Sequence, residues 1–165
     1  MYYDTELTSN QILTELTEQP KAIAALTAGL PRARLQSSPG RGEWSPNDVL
    51  AHLRSCSDMW GRYIATIIVQ DRPTIRAMSP RTWIKSTDYP ELEFASSLRS
   101  FRKQRAELLA LLRPLRKTGW SRRATVTGAG RPLEVTVLDY ARRLANHERS
   151  HVKQIGRIVS PRARP

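Results

Sequence analysis

The chain holds three histidines, His52, His147 and His151, and two of them stand one helical turn apart in His147-Glu148-Arg149-Ser150-His151. Residues four apart share one face of a helix, so this pair can grip a single metal ion from two points. The run also satisfies the His-Glu-x-x-His pattern of metalloproteases, so its context must decide what it means. The phase of the neighbouring residues is informative. Leu144, His147, His151, Ile155 and Ile158 follow one another at helical steps, which turns both imidazoles toward the buried face. His52 comes three residues after Val49 and four before Cys56, on the inward side of its own helix. Three imidazoles in an apolar core cost desolvation unless something holds them. A divalent ion would do so, and three neutral imidazoles leave a position open for water or substrate. The alternative is that each histidine is a satisfied core or boundary residue.

Six further side chains carry weaker signals. Glu148 is the acidic residue beside the pair, but it points roughly 100° away from the axis of its neighbour His147. It is either a general base or a residue of the surface or behind the ligands. Cys56 is either a fourth, thiolate ligand or a small buried hydrophobe. Arg105 interrupts an apolar row between Phe101 and Leu108, either snorkelling to solvent or offering a forked partner to the anion of a substrate or cofactor. Trp44 can pack back on Leu50 or Val49, and Trp83 and Trp120 are candidate walls of a pocket.

Four helical segments must position these residues. The first spans about residues 6–29, with a bend or break expected before Pro20 and a stop at Gly29 and Pro31. A polar connection over residues 32–43 follows. The second helix opens on Ser45-Pro46-Asn47-Asp48, a serine cap with proline in the first turn and an acidic capping box, and runs to about Gln70. Residues 71–90 contain Pro73, Pro80 and Pro90 without sustained period. They predict a short turn around residues 81–84, or a lid, anchored by Trp83. The third helix covers about residues 91–117, and the fourth about 133–160. Between them Trp120 and Gly128-Ala129-Gly130 mark a connection with a brief extended piece at 124–127 and too little strand signal for a sheet. Striped helices in this number predict an all-α four-helix bundle with long crossover loops, one domain over residues 1–160 and a disordered basic tail at 161–165.

Composition narrows the function. With 165 residues the chain can bury a core without staples, and one cysteine excludes a disulfide scaffold or a multi-thiolate zinc site. No run is long and apolar enough to span a membrane, and the first residues do not read as a signal peptide, which predicts a cytoplasmic protein. Twenty-seven Lys and Arg against 15 Asp and Glu give +12. Residues 97–165 carry 17 of the basic and 4 of the acidic side chains. Such an excess is either the ordinary charge of solvated helix faces or suits an acidic small molecule or a nucleic acid. The basic residues are scattered, no reading module is present, and the aromatics are not interleaved with them, which argues against nucleic acid.

The segments Gly42-Glu43-Trp44-Ser45-Pro46-Asn47-Asp48-Val49-Leu50-Ala51-His52-Leu53 and Leu144-Ala145-Asn146-His147-Glu148-Arg149-Ser150-His151-Val152-Lys153-Gln154-Ile155 resemble the two signature regions of the DinB-like family. These are small four-helix proteins, many of them bacterial. The resemblance implies one divalent metal ion, zinc, nickel or iron, held by His52 on the second helix and by His147 and His151 on the fourth. It also implies a metal-dependent enzyme acting on a small molecule: a transferase or isomerase using a small-molecule thiol, or a hydrolase. A non-catalytic metal-binding or scaffold protein is the other reading, and a homodimer is compatible with either.

Overall fold

The computed structural model describes residues 6–160; the basic tail at 161–165 lies outside them. Helix α1 (Ser9–Thr27) is followed by a short α2 (Arg32–Gln36) and by α3 (Pro46–Val69). Strand β1 (Thr74–Arg76), the single turn α4 (Pro80–Trp83) and two 3-10 turns lead to α5 (Phe94–Leu112). Then come α6 (Lys117–Trp120), strands β2 (Arg123–Thr127) and β3 (Leu133–Thr136), and finally α7 (Val137–Val159). The four long helices form the expected bundle, with α1 packed on α5 and α7, and α3 packed on the same two.

Local chemistry sets the start of the helices that matter most. The Ser45 hydroxyl accepts from the backbone N–H of Asp48, and the Asp48 carboxylate accepts from the backbone N–H of Ser45. Thr136 and Asp139 make the same reciprocal cap on α7. Satisfying these otherwise orphaned amides pins the first turn of each helix, and with it the rotation at which its side chains face the core.

Three expectations need correction. Helix α1 runs unbroken through Pro20. Pro20 is buried there, and the neighbouring Gln19 amide donates to the Ala145 carbonyl at 2.8 Å, tying this turn of α1 to α7. The connection segments build a small sheet, β1 parallel to β2 and β2 antiparallel to β3. Its strands are rich in Thr, Val and Ile, and Gly128 and Gly130 supply the left-handed turn between β2 and β3, with φ of +88° and +93°. Residues 133–136, expected as the first turn of the last helix, are therefore strand, and α7 begins at the Thr136 cap. The third long helix is also shorter than expected and ends at Leu112, ahead of Pro114.

The core is divided. One apolar cluster gathers Leu16, Met59, Trp60, Ile64, Leu112 and Leu144, and a second gathers Ile23, Leu50, Leu53, Phe101 and Ile155. Between them each long helix contributes buried polar side chains: Gln19 from α1, Ser57 from α3, Arg105 from α5, and Asn146, His147 and Glu148 from α7. Arg105 and Glu148, 2% and 0% exposed, form an ion pair that Ser57 joins by accepting from Arg105 and donating to Glu148. Replacing Glu148 by Gln leaves a buried cation without its counter-charge, and the expected loss is about 3–5 kcal/mol of unfolding free energy by urea titration. The joint change Arg105→Met with Glu148→Leu is expected to recover most of that loss, because neither charge is then stranded.

Candidate metal centre

Helices α3 and α7 run in opposite directions. His52 meets His151, and Trp60, two turns further along α3, meets His147, one turn earlier on α7, so position along one helix rises as it falls along the other. This brings the three histidines of the chain together. One ring nitrogen from each lies within 4.8 Å of the others, and His52 Nε2 stands 3.1 Å from His147 Nε2. The rings meet edge to face, with centroids 4.5 Å apart for His147 and His151 and 4.9 Å apart for His52 and His151. Gln154, one turn beyond His151, places its Oε1 2.7 Å from His151 Nδ1. A proton on Nδ1 then donates to that oxygen and leaves Nε2 as a lone-pair donor.

The electrostatics suit a cation. Burial, with the neighbouring His151 and then Arg81 adding to it, lowers His52 to about 4. Burial, reinforced by His151 and His52, lowers His147 to about 3. His151 is lowered by burial as well, against a smaller opposing effect of Gln154. All three are neutral imidazoles at neutral pH, the form in which a histidine binds metal. The Nε2 atoms of His52 and His147 face each other at 3.1 Å, a spacing at which an ion between them would bond both once neither carries a proton. The donor set and its spacing fit a divalent transition metal.

The structure also locates the weaker candidates. Glu148 is fully buried against Arg105 and Ser57, so of the two non-catalytic places expected for it the surface is excluded and the position behind the ligands is the one it takes. Its carboxyl is raised by burial and pulled back in part by Arg105 and Ser57. Arg105 does not snorkel. Its guanidinium turns inward to Glu148 and stacks toward Phe101. Cys56 is buried, with Sγ 3.6 Å from His52 Nε2.

Trp44 has a role its sequence position did not suggest. Its ring lies 5.0 Å from that of His52 and stacks on His151 at 6.1 Å and 17°. Trp120 is instead part of the apolar core, and Trp83 donates to Asp58, so neither walls the histidine site. Two cavities open on either side of Trp44. One, about 530 Å³, reaches His151 with Gln154 and Arg157 on its wall. The other, about 430 Å³, reaches His52 and is lined by Arg81 and Lys85. Those two cations come from residues 71–90, the stretch that shows no period in the sequence.

A family model described as the DinB superfamily matches residues 15–155. Among solved structures the chain is similar to YfiT from Bacillus subtilis, described as a probable metal-dependent hydrolase with an unusual four-helix bundle topology. The TM-score is 0.79 at 17% identity, over 93% of this chain and 87% of that one. Comparison with curated proteins finds no match.

In the unfolded chain the imidazoles ionise near 6.5, against about 4 for His52 and about 3 for His147 in the fold. Between those values the unfolded state binds more protons, so stability is full above 6.5 and falls as pH is lowered through the interval. Metal-stripped protein is expected to show a lower urea midpoint at about pH 5 than at about pH 7, and His147→Ala to lose less of its midpoint over the same step.

Proposed function

The chain belongs to the DinB superfamily, and from that membership and its converged imidazoles we propose that it is a divalent-metal-dependent enzyme acting on an acidic small molecule. His52, His147 and His151 are the metal ligands in this reading. The observation that carries it is the convergence of one ring nitrogen from each of the three imidazoles beside two open cavities. A bound ion supplies Lewis acidity there, polarising a substrate oxygen and acidifying water. The hydrolytic class is favoured because the similar Bacillus subtilis protein is described as a hydrolase.

The remaining residues orient and select. Arg81 and Lys85 line the cavity that reaches His52, and neither takes part in an ion pair among the described residues. Glu43 and Asp48 line the same wall, but the Asp48 carboxylate is turned back to the Ser45 backbone and hydroxyl. A substrate carboxylate or phosphate therefore pairs with the two cations while its reacting end lies at the imidazoles. Trp44 covers the rings and keeps water from the side it occupies. Glu148, engaged by Arg105 and Ser57, serves by holding α7 at the rotation that aims His147 inward rather than by taking a proton from substrate.

Protein purified without an affinity tag and exposed in turn to zinc, nickel and iron is expected to retain about one ion per chain and to unfold at a higher temperature when loaded. His52→Ala, His147→Ala and His151→Ala should each lose the ion and the thermal gain, while Arg81→Ala keeps both. A parent chain that binds none of the three metals would overturn the reading.

A further inference from the structure

We propose that Cys56 is a fourth ligand of the same centre, its thiolate bonding the ion from the core side. The inference rests on the metal-binding reading above and extends it. Cys56 Sγ lies 3.6 Å from His52 Nε2 and 3.9 Å from His147 Nε2, while those two nitrogens are 3.1 Å apart. A circle through the three atoms has a radius of about 2.1 Å, the length of a zinc–nitrogen bond and a little under that of a zinc–sulfur bond. One ion just off the centre of that circle is within bonding reach of all three. Sγ also lies 4.0 Å from His52 Nδ1, so it is not drawn to a single acceptor as in a simple S–H···N hydrogen bond, and its two nearest nitrogens are the Nε2 atoms of two helices.

The spacing along the chain gives a second argument. His52 and Cys56 are four apart on α3, as His147 and His151 are four apart on α7. Each helix thus presents two donors from one face, and antiparallel packing sets the pairs against each other. Cys56 packs in the apolar cluster with Met59 and Trp60, so it approaches from the inner side. The cavities flanking Trp44 meet His52 and His151 from the outer side, where substrate would enter.

Burial, and then the charge of Glu148, push the thiol pKa up, and the metal-free chain carries Cys56 as S–H. Binding breaks that bond, forms a metal–sulfur bond and releases the proton to solvent, with no change of oxidation state. A thiolate added to the imidazoles makes the donor set softer and turns it toward zinc and away from manganese or magnesium, and a substrate oxygen would then enter from the cavity side as a fifth ligand.

Cobalt(II) tests this on the metal-free full chain. The expected spectrum combines visible d–d bands, which report a bound ion, with a near-ultraviolet sulfur-to-cobalt charge-transfer band. Cys56 is the one cysteine of the chain, so a thiolate band belongs to it. Cys56→Ser and Cys56→Ala are expected to keep the d–d bands and lose the charge-transfer band. Zinc-edge X-ray absorption of the zinc-loaded parent should show one sulfur at about 2.3 Å. A parent with d–d bands, no charge-transfer band and no sulfur neighbour overturns the fourth ligand and leaves the imidazole centre standing. A parent with no d–d bands removes both.

Discussion

The buried Arg105–Glu148 ion pair is the constraint on which the rest of the arrangement depends. Taking two charges out of water costs several kcal/mol per ion, and their attraction repays it only when the geometry is good. In return the pair ties α7 to α5 across the middle of the bundle, because a guanidinium and a carboxylate tolerate little error in approach. Glu148 directly follows His147 in the chain. Holding Glu148 toward Arg105 and Ser57 leaves His147 turned roughly 100° away, toward α3 and the edge of Trp60. The ion pair and the imidazole are two faces of one helical rotation.

The same burial that makes the ion pair costly makes the histidines useful. Desolvation is the largest influence on all three imidazoles, and it removes their protons at neutral pH. A lone imidazole in such a place would be a loss; three with convergent nitrogens become a preformed donor set. The polar level between the two apolar clusters explains how a bundle can tolerate this. Gln19, Ser57 and Arg105 each satisfy a neighbouring helix across it, so the centre rests against groups already fixed in place.

What was legible in the sequence follows from periodicity. The bundle and the inward phase of His52, His147 and His151 could be read because long helices repeat their faces many times, and the Ser45 cap anchors the frame. The sheet could not be read. Its strands have three to five residues, and β1 finds its parallel partner only about fifty residues later. The interruption at Arg105 was visible, yet choosing between solvent and a buried partner required the rotation of α7. Trp44 was missed for another reason. It stands one residue ahead of the Ser45 cap, where the path of the connection, not the helical repeat, decides where a ring points.

This division has a functional consequence. The donors sit on α3 and α7, which are capped, packed on both sides and joined through the polar level. The cavity walls come mostly from the connections: Glu43 and Trp44 before α3, and Arg81 and Lys85 from the segment between β1 and α5. That segment is itself tied down. Asp58 of α3 accepts from Trp83, Tyr89 and Gln104, and Asn47 donates to the carbonyls of Pro90 and Leu92. Under the proposed function, substitutions at residues 43, 81 and 85 would change which molecule is held while leaving the ion pair and the caps untouched, whereas Trp44 packs on His52 and His151 and a change there reaches the donors. Changes at Asp58 or Asn47 would shift the cationic wall as a unit. In the proposed reading, a donor cluster on rigid helices beneath a separately anchored wall would let the chemistry stay fixed while the choice of substrate varies.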